Sequence, residues 1–89
     1  MNQQIHNLLG LMARARKIDV GADKIYDGMK RAKYMAIVLA EDAQPRTASK
    51  IERLAEEHQI QLIRLGTKEQ LADAIGKELT VAIAIKDTG

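Results

Sequence analysis

Eighty-nine residues make one domain and leave no room for a second core, which excludes a large multidomain enzyme. With no Cys, no Trp, no Phe and two Tyr, the chain has no disulfide framework, thiolate metal site, cysteine nucleophile or aromatic platform for stacking bases. Fourteen basic residues outnumber twelve acidic ones, and the excess is uneven: nine Lys/Arg face five Asp/Glu in residues 1–50, and five face seven thereafter. The basic half, densest from Arg14 to Lys33, points to a polyanionic partner, with a solvated helix surface as the competing reading.

In chain order, Ile5, Leu8, Leu9 and Met12 fall at i, i+3, i+4 and i+7, the stripe of an amphipathic helix over residues 2–15. No basic cluster precedes this run and no stretch approaches the roughly 18 apolar residues of a membrane span, so a cytoplasmic protein without a membrane partner is expected. A short strand is expected at Ile18–Val20. Ala22, Ile25, Met29 and Ala32 define a second helix between Gly21 and Lys33, with Gly28 inside it for close packing. Residues 34–40 are continuously apolar, as in a strand buried on both faces. Pro45 suits a first helical turn, and Ile51, Leu54, Ala55 and His58 continue that third helix. Residues 60–65 read as a strand. Thr67 and Gln70 have capping-box spacing for a helix starting at Lys68 and stopping at Gly76. Thr80–Ile85 is the last strand. This alternation predicts a single α/β domain over residues 1–89, a three-layer α/β/α sandwich with about four mixed strands.

Few motifs carry chemistry. Gly21-Ala22-Asp23-Lys24 opens the second helix inside the basic half, where backbone N–H groups could face phosphate; alternatively Gly21 makes a turn and Asp23 caps a helix. Glu41-Asp42 follows a buried strand, but no further ligands converge on it, and capping, or pairing with Lys50 or a neighbouring Arg, is the expected role. His6 and His58 belong to no metal or triad pattern, Ser49 has no nucleophile-elbow context, and Gly66-Thr67-Lys68 reverses the end of a P-loop. No catalytic residue, cofactor or metal site is nominated.

Leu9-Gly10-Leu11, Gly21 through Lys33, Ile37 through Ala43, Thr47 with Lys50, Leu65 through Leu71 and Ala74-Ile75-Gly76-Lys77 together resemble the ribosomal protein L7Ae and L30e family, its bacterial YlxQ-like members in particular. The resemblance spans nearly the whole chain. It implies a non-catalytic, RNA-binding α/β/α domain whose typical members recognise kink-turns, duplexes bent sharply at a bulge flanked by sheared G·A pairs. By that resemblance Gly21, Ala22, Asp23 and Lys24 enter the opened groove, and Leu65, Gly66, Thr67 and Lys68 cover unpaired nucleotides. Arg14, Arg16, Lys17, Lys30, Arg31 and Lys33 then hold phosphates. The family motif resembles Gly-x-Asn-Glu-x-x-Lys, whereas this chain has Asp23, Lys24 and Asp27 at the three specific positions; an ammonium has only donors and cannot accept from guanine as Glu does. The partner expected is structured RNA, ribosomal RNA included, bound by a monomer. The alternative is a protein-interaction or regulatory module that has kept the fold and lost kink-turn recognition.

Overall fold

The computed structural model describes residues 1–31 and 34–86. Its elements are α1 (Gln3–Arg14), β1 (Ile18–Val20), α2 (Ala22–Gly28), β2 (Tyr34–Leu39), α3 (Pro45–Glu57), β3 (Gln61–Arg64), α4 (Lys68–Ile75) and β4 (Ala82–Lys86). The strands form one mixed sheet in the order β1-β4-β2-β3, with β2 and β3 parallel and the other neighbours antiparallel.

Helices cover both faces, as the unbroken apolar runs of the inner strands require. On one face Ile25 of α2, Met29 just past its end, and Ala48, Ile51 and Ala55 of α3 pack on Ile37, Leu39 and Ala84. On the other, Leu9 of α1 and Leu71 and Ala74 of α4 pack on Val38 and Ile83. Alanines fill much of the core, so helices lie close to their neighbours. A Cβ added at Gly10 of α1 would sit 3.0 Å from the Ala74 carbonyl oxygen of α4.

Local chemistry sets the helix ends. The Asn2 side chain accepts from the Gln4 N–H, Pro45 occupies the first turn of α3, and Thr67 and Gln70 form the reciprocal capping box of α4. Gly76 ends α4 in the left-handed conformation, φ 74°, that costs glycine little.

Three expectations need correction. α2 ends at Gly28 rather than near Lys33: the N–H groups of Lys30 and Arg31 bond back to the carbonyls of Asp27 and Gly28 in tight turns that lead the chain towards β2. Ala32 and Lys33 lie outside the described residues. β2 is not buried at every position, because the register slips between Tyr34 and Ala36 and leaves Met35 60% exposed. That one-residue bulge puts Tyr34 on the same face as Ile37 and Leu39 despite its opposite parity. β4 starts at Ala82, and Thr80 lies in the preceding loop, 1% exposed.

The buried Thr80 hydroxyl oxygen has no hydrogen-bond partner among the described residues. Thr80→Val keeps the shape and removes the unpaired group, so it is expected to stabilise the fold by about 0.5–1 kcal/mol. The check is a higher urea midpoint with an unchanged slope.

Candidate nucleic-acid interface

One rim of the sheet gathers the ends of β1, β2 and β3 and the start of β4. The Gly21 N–H donates to the Ala82 carbonyl at 3.1 Å, Ala82 pairs with Leu39, and the Leu65 N–H donates to the Leu39 carbonyl at 3.1 Å. The start of α2 and the segment Leu65–Lys68 therefore stand along the same rim, as the resemblance implies. Gly21 has φ 95° and open space where a side chain would project, so its backbone is approachable. Ala22 is half-buried against the core, while Asp23 and Lys24 are exposed.

Residues 65–68 are more committed to the fold than their sequence suggests. Leu65 packs on the α1/α4 core, Gly66 is buried with its carbonyl accepting from the Glu41 N–H, and the Thr67 hydroxyl is held in the capping box. The Lys68 N–H donates to Asp42 Oδ1 at 2.8 Å. Asp42 thus does not pair with Lys50, whose ammonium lies 4.1 Å above the Tyr26 ring. Arg64 donates to the Glu41 carbonyl and pairs with Glu52. Sequence reasoning missed the next loop, between α4 and β4. It is tied to Lys68 through the Thr80 N–H, and it presents Leu79 at 67% exposure on the same rim.

Asp19 organises the neighbouring surface. Its buried carboxylate accepts from the Tyr34 hydroxyl at 2.5 Å and lies 3.3 Å from Lys86 Nζ and 3.8 Å from Lys24 Nζ. Burial pushes the Asp19 pKa up, but the hydrogen bonds from Tyr34 and Lys86 and the charges of Lys86 and Lys24 together hold it below the ordinary carboxylate value. Burial, reinforced by the Asp19 carboxylate, drives the Tyr34 phenol well above its usual range, so it remains a hydrogen-bond donor.

The predicted phosphate-holding residues divide into groups. Arg14 and Arg16 share an open groove of about 910 Å³ with Lys24, Lys77 and Lys86. Arg31 lines an adjoining depression with Lys24 and Lys86, and it pairs with Asp27 one turn earlier. Lys17 and Lys30 are exposed outside both, and Lys33 lies outside the described residues. Lys77 and Lys86 were not predicted, and only the fold brings them to β1.

The sequence matches the ribosomal protein L7Ae/L30e/S12e/Gadd45 family over residues 3–89. The chain belongs to this family. It is 33% identical over 82 residues to the RNA-binding protein YlxQ of Bacillus subtilis (strain 168), covering 92% of this chain and 82% of that protein. It is 26% identical over 76 residues to the RNA-binding protein BH0128 of Halalkalibacterium halodurans, covering 84% and 93% of the two chains. A solved structure of a protein of unknown function from Bacillus halodurans superposes with a TM-score of 0.91 at 31% identity, over 99% of this chain and 89% of that one. The Giardia lamblia 15.5kD RNA binding protein shares the fold, with a TM-score of 0.83 at 22% identity over 96% of this chain and 72% of that one. Family membership and the four-stranded mixed sheet with helices on both faces agree with the expected fold.

Proposed function

We propose that this family member is a non-catalytic protein that binds structured RNA, a kink-turn or a related bend in ribosomal RNA. It does so through the rim formed by the start of α2, residues 65–68 and Leu79. The convergence of these segments on one rim carries the reading, with RNA-binding relatives in support. A-form duplex hides its base edges in a deep groove, so a protein without stacking aromatics gains specificity where a bulge opens the helix. Gly21 lets the RNA backbone come close. Asp23, exposed and acceptor-only when ionised, takes hydrogen bonds from guanine edges in place of the family's Glu, while Lys24 meets phosphate. Leu79 covers an unpaired base, and Arg31, Lys30 and Lys17 add charge around the site.

The test is fluorescence anisotropy at about 0.15 M salt with a kink-turn RNA and a matched duplex lacking the bulge and the G·A pairs. Selective binding of the kink-turn, by roughly tenfold or more, is expected; equal or absent binding overturns the reading and favours a protein partner. Lys24→Ala with Arg31→Ala is expected to weaken binding and flatten the log–log salt dependence by about 1–2, near 0.9 per lost phosphate contact. An unchanged slope removes these side chains from the interface.

A further inference from the structure

We propose that the free edge of β1 and the groove beside it form a second RNA contact, a sequence-blind track for the sugar–phosphate backbone flanking the recognised element. This rests on the RNA-binding reading above but uses different atoms. Three cations from two parts of the chain, Arg14 and Arg16 at the end of α1 and Lys77 after α4, converge on this groove, and none makes an ion pair among the described residues. The rim, by contrast, carries the exposed acids Asp23, Glu41 and Asp42. A polyanion leaving the rim at Lys24 meets a cationic path along β1.

The edge also supplies neutral donors. The Lys86 N–H bonds to the Lys17 carbonyl and the Gly21 N–H to the Ala82 carbonyl, so in this antiparallel register Asp19 is the bonded partner of Ala84. The alternation turns the N–H groups of Ile18 and Val20 away from β4, at the sheet edge that lines the groove. Backbone amides flanked by cations are donors for phosphate that do not distinguish bases.

Arg14 and Lys77 sit at the C-terminal ends of α1 and α4, where helix dipoles favour cations, so each alone has a structural explanation. Arg16 has none. It holds φ 58°, just past the cap of α1, in the left-handed region where glycine is less strained. Gln59, past the end of α3, holds φ 57° as well, so it is the exposure of Arg16 and its place in the groove that make it available to a charged ligand.

Two measurements test this. The first is an amide NMR titration at about 50 mM salt with an oligouridylate about eight nucleotides long, a probe of backbone binding. Shifts are expected at Arg16, Ile18 and Val20. Shifts confined to the rim, or centred instead on Arg46, Lys50 and Arg53 of α3, overturn the proposal. The second compares a minimal kink-turn RNA with one whose stem is lengthened. The longer RNA is expected to bind at least fivefold tighter, and Arg14→Gln with Lys77→Gln to abolish that gain. Arg16→Gly is expected to raise the thermal midpoint while weakening oligouridylate binding; a raised midpoint with unchanged binding counts against the track. Kink-turn binding with silent groove amides defeats this proposal alone, whereas no binding of either RNA defeats the functional reading as well.

Discussion

Gly28→Ala is expected to lower the unfolding free energy by about 1–3 kcal/mol, although alanine is the better helix former by about 1 kcal/mol. The reason lies across the fold. A Cβ at position 28 would overlap the Tyr34 hydroxyl oxygen, lie 2.7 Å from the ring carbon bearing it and reach within 3.3 Å of Asp19 Oδ2. Tyr34 cannot withdraw easily, because its ring is buried and its hydroxyl is fixed on Asp19. The substitution therefore displaces a buried phenol together with the carboxylate it serves. Tyr34→Phe alone is expected to cost about 1–2 kcal/mol through the lost hydrogen bond to a charged acceptor. In the double variant the oxygen that collides is gone but the ring carbon remains. The combined loss should therefore be smaller than the sum of the single losses, by about 0.5–1.5 kcal/mol. Urea unfolding of the four proteins measures this; strict additivity would mean that Gly28 does not answer to Tyr34.

The same contact shows why some of the fold is legible in the sequence and some is not. β1 and α4 were read correctly because their signals are local: the Thr67/Gln70 spacing satisfies backbone donors within one turn, and Gly76 stops the helix that follows. The end of α2 was misread because Ala32 continues the apolar period, and nothing within the helix announces the early turn after Gly28. The bulge at Met35 is equally silent, since seven apolar residues in a row have no alternation to break. For the candidate interface, Gly21 through Lys24 and Leu65 through Lys68 are nominated by resemblance, and one rim brings the two segments together. Asp19, Lys77 and Lys86 were missed because their meeting depends on β4 returning beside β1. Leu79 had a usable signal, a lone large apolar residue after Lys77 and Glu78 in a loop, but periodicity gives such residues no partner. Arg16 could not be singled out, because its unusual backbone is visible only in three dimensions.

Asp19→Ala is expected to destabilise the protein by about 2–3 kcal/mol at neutral pH, leaving the Tyr34 hydroxyl and the Lys86 ammonium without their acceptor. The pH dependence identifies the cause. Because the folded pKa of Asp19 lies below the ordinary carboxylate value, the unfolded chain binds more protons in the acid range, and stability rises with pH there. The contribution is complete above the unfolded pKa near 4 and disappears as pH falls through the lower folded value. Asp19→Asn removes that titration while keeping an acceptor for Tyr34. Its stability curve should lie below the wild type at pH 7 and converge with it in acid. Parallel curves from pH 2 to pH 7 would show that the carboxylate charge is not what stabilises the site. RNA affinity is expected to move the opposite way. Among the described residues Asp19 is the only acidic one lining the larger groove, and neutralising it releases Lys24 and Lys86 towards phosphate. Asp19→Asn should therefore bind RNA at least as tightly as wild type, with a steeper salt dependence. Weaker binding by a folded Asp19→Asn protein would show instead that the carboxylate's hold on the two lysines is what aims them at the RNA.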